Sequence, residues 1–443
     1  MLSHAGQCHG TERSRHMTYI GRRGLLAGAA GLLAAAGVTG GAGPARAAGT
    51  TGPPRAAEAV RGRGRRREET AEFRAMWIAS VENVDWPSES GLDAEGQRSE
   101  LTGLLDTAVA RRLNAVILQV RPTADAMWPA AREPWSQWLT GEQGEDPGWD
   151  PLGTAVAEAH ARGLELHAWF NPYRVANHTH PERLAEDHPA RRNPGWTVPY
   201  NGKLYYNPGL PEVRAFVQEA MLDAVSRYEV DGVHWDDYFY PYPAEGQYFD
   251  DDDAYARHGG AFASRADWRR DNTDTLVREM SQRLRSIRPE ARFGVSPFAV
   301  WRNSDRDPLG SPTQAGVETY DDLYADTRKW VREGWIDYIV PQAYWQIGHP
   351  AADYAKIVPW WADTVAGTGV ALYVGEALYR CDRNSSTPAW RDPAELSKHL
   401  TFARRYPEVR GHVYFSAKQV VADPNGAMAR VVADHYPTAV PPR

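Results

Sequence analysis

Two adjacent carboxylates, Asp236 and Asp237, end an apolar run and are followed at once by aromatic rings and prolines, in the stretch DGVHWDDYFYPYP at 231–243. Paired carboxyl groups can cleave a glycosidic bond, because one protonates the leaving oxygen while the other acts as a base or nucleophile. Aromatic rings stack on the apolar C–H faces of sugars. We therefore interpret the stretch as part of a site that binds and cleaves carbohydrate.

Strand geometry separates the two carboxylates. Side chains alternate between the faces of a strand, so Asp236 shares a face with His234 and Asp237 shares a face with Trp235. We expect the apolar face with Trp235 to pack against helices, which makes Asp236 the carboxylate that points towards a ligand. Asp237 then orients other groups, caps a turn, or joins the site if the strand has already ended.

The elements that must position these residues repeat along the chain. Strand-like apolar runs lie at 74–79, 115–120, 164–170, 232–235, 292–298, 338–341, 371–374 and 412–415. Helical patterns lie between them, at 97–112, 151–162, 211–228, 271–287 and 320–333. Eight strands, each followed by a helix or long loop, predict an α/β fold of the (β/α)8 TIM-barrel type. A doubly wound sheet is the alternative, but the Gly-rich phosphate turn typical of its first strand is missing from this sequence.

Active sites of such barrels lie where the strands end, and here those ends are polar or aromatic instead of aliphatic. Rings at these positions could stack on sugars, and Arg could hold a carboxylate through two parallel hydrogen bonds. Each residue taken singly could also serve packing alone. The candidate substrate-binding residues are Trp77, Gln119, Arg121, Trp128, His167, Trp169, Asn171, Arg174, His234, Tyr238, Tyr240, Trp301, Arg302, Asn303, Gln342, Tyr344 and Trp345.

The strand ends form ordered motifs that resemble the glycosyl-hydrolase-like 10 family, a bacterial group of (β/α)8 barrels, from residue 73 to about residue 417. The motifs are WP at 86–87, QVRP at 119–122, HAWFNPYR at 167–174, DGVHWDDYFY at 231–240, GGAF at 259–262, GVSP at 294–297, VWRN at 300–303 and PQAYW at 341–345. The resemblance implies hydrolysis of glycosidic bonds in a cell-wall polysaccharide, above all the glycan strands of peptidoglycan, including strands stripped of their peptides.

Asp236 is the first candidate catalytic carboxylate. As an acid it needs a pKa raised by burial, and as a nucleophile it needs a neighbouring cation that keeps it ionised, so both roles stay open. Asp237 and Glu376 are candidates for the second carboxylate. The resemblance points to Glu376 because the wider group of barrel glycosidases keeps a nucleophile after the seventh strand. A loop Glu paired with Arg380 is the alternative for Glu376.

Other acidic residues have simpler interpretations. Glu145 and Asp150 lie in the loop after the second strand, but Asp150 precedes Pro151 and is placed to cap the next helix. The tetrad at 250–253 lacks the Gly and the distal Glu of a calcium loop, which favours a solvated acidic turn. His167 and His234 come from neighbouring strands without a third zinc ligand. We therefore expect no metal and no cofactor.

The N-terminus has the pattern of an export signal. Paired arginines, Arg22 and Arg23, precede an apolar run that ends in a small-x-small site at Ala45–Ala47, which indicates the twin-arginine route. Met1 and Met17 are both possible starts, and an uncleaved anchor is the alternative. The predicted organisation is a signal at 1–47, a Gly/Arg-rich linker at 48–70, a single catalytic barrel at 71–425 and a C-terminal helix or tail at 426–443. The predicted location is extracellular or associated with the cell wall.

The composition of the chain indicates which classes of partner the protein is not expected to bind, and the net charge is the main evidence. The net charge is −7, and residues 1–47 carry five Arg and one Glu, so the exported part is more acidic still. An acidic protein is a poor candidate for binding nucleic acid or anionic lipid, and we expect no stable membrane insertion after signal cleavage. Cys8 lies in the predicted signal, which leaves Cys381 alone and excludes a disulfide framework.

A polysaccharide is therefore the expected partner, and two alternatives to a glycosidase stay open. The first is a non-catalytic glycan-binding barrel, in which the rings bind sugar and the acids serve structure only. The second is a metal-assisted hydrolase on the same fold, since one fold hosts many chemistries.

Overall fold

The computed structural model describes residues 72–442, so the predicted export signal and linker lie outside the described residues. The strands of this part are β1 (Phe73–Ile78), β2 (Ala115–Arg121), β3 (Glu165–Phe170), β4 (Arg174–Ala176), β5 (Thr197–Tyr200), β6 (Lys203–Tyr206), β7 (Gly232–Trp235), β8 (Arg292–Val295), β9 (Tyr338–Ile339), β10 (Ala371–Glu376) and β11 (Val409–Tyr414). Parallel pairing runs β1–β2–β3–β7–β8–β9–β10–β11 and returns to β1, which closes an eight-stranded barrel within residues 72–442. The predicted (β/α)8 architecture is confirmed.

Helices surround this barrel. They are α1 (Ala94–Ala110), α2 (Gln137–Thr140), α3 (Pro151–Ala161), α4 (Pro189–Arg192), α5 (Pro211–Arg227), α6 (Asp252–His258), α7 (Arg265–Ile287), α8 (Thr327–Arg332), α9 (Tyr354–Val365), α10 (Glu395–Ala403), α11 (Ala417–Ala422) and α12 (Ala427–His435). Local chemistry sets several starts: Asp150 accepts a hydrogen bond from the Gly153 amide at 2.9 Å, and proline opens α3 and α5. Among residues 72–442, no helix combines the length and the apolar character that a bilayer crossing requires.

Several elements differ from their predicted bounds; α7, for example, begins six residues before the predicted start at 271, and β11 begins three residues before the predicted start at 412. The predicted strand at 292–298 ends at Val295, shortly before Pro297, which has no N–H to donate to a neighbouring strand. The predicted helix at 320–333 begins only at Thr327, because Tyr324 has a left-handed φ of 50° and Asp326 caps the helix through the Lys329 amide at 3.2 Å.

The barrel lumen carries a column of buried polar groups where such interiors are usually aliphatic. His167 contacts Glu165 at 3.1 Å and the Tyr338 hydroxyl at 2.7 Å, and that hydroxyl lies 3.1 Å from Nδ1 of His234. The Trp77 indole N–H donates to Nε2 of His234 at 3.2 Å. Because an indole N–H only donates, Nε2 of His234 carries no proton. Burial agrees with this, since it lowers the pKa of His234 well below its ordinary value.

A small antiparallel sheet interrupts the barrel repeat after β3. Its strands are ordered β4–β6–β5, and β5 and β6 form a hairpin around Asn201 and Gly202. Both turn residues have left-handed φ values, 45° and 74°, which Asn-Gly adopts readily in a two-residue hairpin. The hairpin places β6 beside β4, and β4 begins four residues after β3 ends. The small sheet therefore stands at the carboxyl end of the barrel.

The C-terminal segment, predicted as a helix or tail, packs beside the start of β1, where Arg74 donates from Nη1 to the Thr438 carbonyl at 2.8 Å. Tyr436 follows α12 and is fully buried. Its hydroxyl lies 2.6 Å from that of Tyr414, and the guanidinium of Arg74 lies 4.1 Å from the centre of its ring.

We expect Gly294→Ala to destabilise the protein, because a Cβ at this position of β8 would overlap the ring of Tyr338. Overpacking of this kind costs about 1–3 kcal/mol. The matched control is Gly103→Ala, since Gly103 is exposed in α1 with open space around a new Cβ. There the change should stabilise by about 0.5–1 kcal/mol through helix propensity. Urea unfolding of both variants measures the difference, and a stable Gly294→Ala would show that the lumen adapts.

Candidate active site

Asp236 follows β7 directly and is nearly buried, with an exposed fraction of 3%. The Trp169 indole N–H donates to Oδ2 at 3.1 Å, and Nδ2 of Asn171 lies 3.1 and 3.0 Å from the two carboxyl oxygens. Both donors come from the neighbouring strand β3 and its end, because Trp169 pairs in register with His234. The carboxyl is thus held at the carboxyl rim of the barrel, where catalytic groups of this fold lie.

Burial is the main reason that the pKa of Asp236 is raised to about 6. The charge of Arg174 opposes the rise, the charge of Asp237 adds to it, and the hydrogen bonds from Asn171 and Trp169 lower the pKa again. Burial outweighs these contacts. Asp236 therefore keeps its proton to a higher pH than an exposed aspartate does, as a general acid near neutral pH must.

Asp237 is not separated from Asp236 in the way that strand alternation predicts. The strand β7 ends at Trp235, so the strict alternation between faces no longer holds at the carboxylate pair. Asp237 is 3% exposed and accepts a hydrogen bond from the Tyr242 hydroxyl. Its charge acts on Asp236. The structure thus brings a second carboxylate close to the first.

Asn171 joins the carboxylate pair to a cation. Its Oδ1 accepts the backbone N–H of Arg174 at 2.8 Å, while its Nδ2 donates to Asp236. The Arg174 side chain donates from Nε to the Pro122 carbonyl at 3.2 Å, and its guanidinium carbon lies 5.2 Å from the centre of the half-buried Tyr238 ring. One asparagine side chain therefore sets the positions of both the Asp236 acid and the Arg174 cation at the rim.

Glu376 lies elsewhere, which corrects its placement as a second carboxylate at the mouth. Tyr354 of α9, His399 of α10 and His412 of β11 contact its carboxylate oxygens at 2.9, 2.9 and 3.0 Å, and it is fully buried. Two of these partners belong to the helical layer, so Glu376 faces outwards from the barrel. Arg380 is not its partner either. The side chain ties β10 and β11 to their helices.

Arg121 and Trp128 are also corrections, because neither is free to hold a sugar. The Arg121 guanidinium pairs with Glu133 at 2.5 Å and donates from Nη1 to the Asn171 and Pro172 carbonyls, at 2.5 and 3.1 Å. Trp128 is fully buried, packs against Phe170 and donates its indole N–H to Asp223 of α5 at 2.8 Å. These residues fix the loops after β2.

The lumen residues are placed too deep to touch a polymer. Trp77, His167 and His234 belong to the polar column and are 2%, 0% and 0% exposed. Gln119 is also fully buried, and its Oε1 accepts the amides of Ser80 and Val81 at 3.1 and 3.0 Å. These four predicted binding residues support the rim from below.

The predicted residues from the loops after β7 and β8 are engaged by their own loops. Tyr240 packs against Tyr324 and Phe249 and is 1% exposed. The remaining three are held by acidic groups: Trp301 donates to Asp326 at 2.8 Å, Arg302 pairs with Asp307 and Asp321 at 2.7 and 2.8 Å, and Asn303 bonds Glu318. Their side chains order these loops.

The predicted residues after β9 are divided between support and exposure. Gln342 donates to the Ser296 carbonyl at 2.8 Å, which links the ends of β8 and β9. Tyr344 is 5% exposed and packs near Phe415. Trp345 is only half-buried, with its ring centre 5.4 Å from that of Phe298. Of these three, Trp345 offers the most ring surface to a ligand.

The remaining acidic candidates lie outside the site. Asp150 caps α3 and Glu145 is exposed in its loop. In the tetrad at 250–253, Asp251 is buried and pairs with Arg269 at 2.6 Å, so this turn is anchored and not simply solvated. Within residues 72–442, no group of three or more His, Cys, Asp and Glu side chains is arranged so that it could hold a metal ion.

Three residues around the site were missed at the level of sequence. Tyr242 donates to Asp237, and Tyr205 and Lys203 belong to β6 of the small sheet. The Asn201-Gly202 dipeptide between two aromatic, alternating runs is a strong hairpin signal and would have predicted this sheet. The signal for Tyr242 is weaker, because tertiary contact alone brings it back to Asp237.

A closed parallel barrel with a buried, proton-holding aspartate at the carboxyl ends of its strands is the arrangement of a (β/α)8 glycoside hydrolase. Residues 72–392 match the family model described as glycosyl hydrolase-like 10. The protein belongs to this family.

Relatives with high identity carry the same kind of name. Glycosyl hydrolase YngK of Bacillus subtilis (strain 168) is 49% identical over 374 residues, which cover 84% of this chain and 73% of that protein. Glycosyl hydrolase DigH of Escherichia coli (strain K12) is 41% identical over 363 residues, which cover 77% of this chain and 82% of that protein. The family and these relatives support a glycoside hydrolase.

Solved structures share the fold at low identity. The glycoside hydrolase domain of PgaB (BpsB) from Bordetella bronchiseptica superposes with a TM-score of 0.51 at 13% identity, covering 83% of this chain and 99% of that chain. The catalytic domain of β-amylase from Paenibacillus polymyxa gives a TM-score of 0.51 at 10% identity, covering 84% and 99%. These likenesses concern the barrel alone.

We expect Glu376→Gln to reduce stability and leave catalysis intact. Burial by itself raises the pKa of Glu376, but the charges and hydrogen bonds of His399 and His412 lower it to about 2. A lowered pKa means that the ionised group stabilises the fold above its ordinary pKa of 4.5, and that this stabilisation is lost as pH falls towards 2. Urea unfolding at pH 6 should show a loss of about 3 kcal/mol.

The exposed Glu145→Gln is the control for Glu376→Gln and should change stability by less than about 0.5 kcal/mol. Both variants should retain wild-type kcat within about twofold, because neither carboxylate lies beside Asp236. A large drop in kcat with unchanged stability for Glu376→Gln would return Glu376 to the catalytic candidates.

We expect Asp236→Asn to alter the pH dependence of stability. The folded pKa of about 6 exceeds the ordinary value of 3.8, so the folded protein holds a proton that the unfolded chain releases. Stability from this group is full below pH 3.8 and falls as pH rises through 6, by up to about 3 kcal/mol. The Asp236→Asn variant should not show this decrease, because asparagine does not titrate. Between pH 4 and pH 8, the free energy of unfolding measured in urea should decrease more for the wild type than for the variant. Equal decreases in the two proteins would argue against a raised pKa of Asp236.

Proposed function

We propose that the protein is an exported glycoside hydrolase that cleaves glycosidic bonds in a cell-wall polysaccharide, namely the glycan strands of peptidoglycan, including peptide-free strands. The observation that carries the proposal is the Asp236 carboxyl, buried at the barrel rim with a pKa of about 6 and a second carboxylate beside it. The peptidoglycan substrate and the export are supported by the family resemblance and by the twin-arginine pattern, which would deliver the protein to the wall.

In the proposed reaction Asp236 is the general acid. Its proton passes to the glycosidic oxygen as the bond to the anomeric carbon breaks, so that the leaving sugar departs as an alcohol. Asp237 supplies the ionised carboxylate, which stabilises the positive charge at the anomeric carbon and activates a water molecule or attacks directly. If Asp237 attacks directly, its bond to the anomeric carbon breaks as water adds, and the water's proton passes to Asp236. If Asp237 acts as the base, it takes the water's proton, and Asp236 regains a proton from solvent. Burial favours the protonated form of Asp236 at the start of this reaction.

The surrounding side chains have positioning roles in this proposal. Trp169 and Asn171 fix the Asp236 carboxyl through its two oxygens, and Tyr242 fixes Asp237. Tyr238 and Trp345 keep part of their rings accessible at the rim. Rings of this kind stack on sugar faces, so the two residues are the proposed platforms for the glycan on either side of the cleaved bond.

We expect Asp236→Asn to lower kcat on peptidoglycan glycan by at least about 1000-fold, because asparagine cannot donate the proton. The measurement is release of soluble sugars from purified sacculi, with and without prior amidase treatment, followed by mass spectrometry. For the wild type, kcat/KM should fall as pH rises above about 6, since the acid form is then lost. Asp237→Asn should also reduce kcat strongly.

Asp223→Asn is a matched control. Asp223 also accepts an indole N–H, from Trp128 at 2.8 Å, but it lies on α5 in the helical layer. This variant should keep full activity. Turnover that persists in Asp236→Asn would remove Asp236 from the mechanism. Glycan binding without any turnover by the wild type would favour a non-catalytic barrel, and activity abolished by a chelator would favour metal-assisted hydrolysis.

A further inference from the structure

We infer that Arg174 and Lys203 form a subsite for a carboxylate carried by the substrate sugar, next to the bond-cleaving Asp236. The lactyl ether of muramic acid is such a carboxylate. The inference rests on the proposed function and deepens it, because it assigns the recognition of the acidic sugar to two particular residues of the small sheet. Neither cation forms a direct salt bridge within residues 72–442, although the carboxyls of Asp236 and Glu82 act on them at longer range.

The hairpin register places the two cations together. Arg174 on β4 pairs with Tyr205 on β6, so both side chains lie on one face of the small sheet. Lys203 precedes Tyr205 by two residues and therefore shares that face. The face looks towards the catalytic rim, since the Arg174 backbone is held by Asn171 and the Arg174 guanidinium packs over Tyr238. The charges of Arg174 and Lys203 act on each other.

Arg174 is buried without an ion pair. Its exposed fraction is 5%, and within residues 72–442 its side chain makes one hydrogen bond, from Nε to the Pro122 carbonyl. Both terminal nitrogens, Nη1 and Nη2, have no hydrogen-bond acceptor in this part of the chain. A buried charge without a partner is costly. The terminal nitrogens of a guanidinium form the fork that holds a carboxylate through two parallel bonds, so a substrate carboxylate offsets this cost.

Lys203, at the edge of the site, also lacks an ion pair among the described residues. It is half-buried and, among the described residues, makes neither a hydrogen bond nor an ion pair. Burial lowers the pKa of Lys203, the charge of Arg174 lowers it further, and the carboxylate of Glu82 opposes both. Glu82 itself accepts a hydrogen bond from Asn177 at 2.9 Å. Two cations therefore lie side by side without a direct ion pair, an arrangement that suits a substrate carboxylate.

The pairing of two cations without a direct counter-ion bears on the chemical state of the substrate. In peptide-bearing glycan the lactyl group is an amide and carries no charge, whereas in peptide-free glycan it is a carboxylate. An Arg–Lys pair gains little from the amide. The subsite therefore gives a physical reason for preferring strands without peptides, and it places the reason in β4 and β6 instead of in the barrel.

The test compares two substrates that differ only at the lactyl group: peptide-free glycan strands, and the same strands with the carboxylates reduced to alcohols. For the full-length wild type we expect kcat/KM to be at least tenfold higher on the carboxylate strands. Lys203→Gln should lose about tenfold on the carboxylate strands, mainly through KM, with little change on reduced strands. Arg174→Gln should lose at least as much on the carboxylate strands and less on the reduced strands, where removal of its charge also raises the pKa of Asp236. Arg174→Lys should recover part of the loss.

Matched controls separate this effect from general charge loss. Arg98→Gln also removes a guanidinium over a ring, that of Trp149 at 4.9 Å, and Lys356→Gln removes an exposed lysine of α9. Both should behave as wild type on both substrates. Equal losses on the two substrates in the Arg174 and Lys203 variants, or a wild type that does not discriminate, would overturn the subsite.

A direct measurement of glycan binding makes this test independent of turnover. In an Asp236→Asn background, calorimetry should show tighter binding of carboxylate strands than of reduced strands, with an advantage that shrinks at high salt and disappears in Lys203→Gln. Thermal melts verify that each variant is folded. Absence of hydrolysis by the wild type would defeat the proposed function, while calorimetry would still decide the subsite, and equal affinity for both strands would overturn it.

Discussion

The hydrogen bonds from Trp169 and Asn171 to the Asp236 carboxyl join two neighbouring strands at the rim of the barrel. They stabilise the ionised form, yet the surrounding protein excludes water so far that the pKa of Asp236 still rises to about 6. This balance between desolvation and donation is what makes the residue an acid and not merely a buried counter-ion. The same asparagine then fixes Arg174, so the acid and the cation are placed by one side chain.

The lumen below the rim explains how the strands can hold this arrangement. His167, Tyr338 and His234 satisfy one another by hydrogen bonds inside the barrel, so the groups beneath Asp236 are fixed in position and His234 stays neutral. A column of this kind needs room, and Gly294 supplies it by leaving space for the tyrosine ring. Burying these polar groups in the lumen carries a desolvation cost, which a purely aliphatic barrel interior would not have.

The small sheet β4–β6–β5 is the part of the structure that could select one sugar over another in the proposed enzyme. A closed parallel barrel with an acid at its rim is compatible with many sugars, and the fold alone does not select one. The hairpin at 197–206 sets Lys203 beside Arg174, and neither cation forms a direct salt bridge within the described chain. Substrate selection in the proposed enzyme thus depends on an insertion after β3, while bond cleavage depends on β7.

The sequence determined the barrel, the strand that carries Asp236 and the helix capped by Asp150, because alternation, helical periodicity and capping are local properties of neighbouring residues. It could also have revealed the hairpin through its Asn-Gly turn. Which polar strand ends are available to a ligand was decided by tertiary structure alone. Arg121 and Glu376 look like site residues in the sequence, but Glu133 engages the first, and two histidines from α10 and β11 engage the second. A side chain's function depends on partners that only folding brings within hydrogen-bonding distance, and no local pattern encodes those partners.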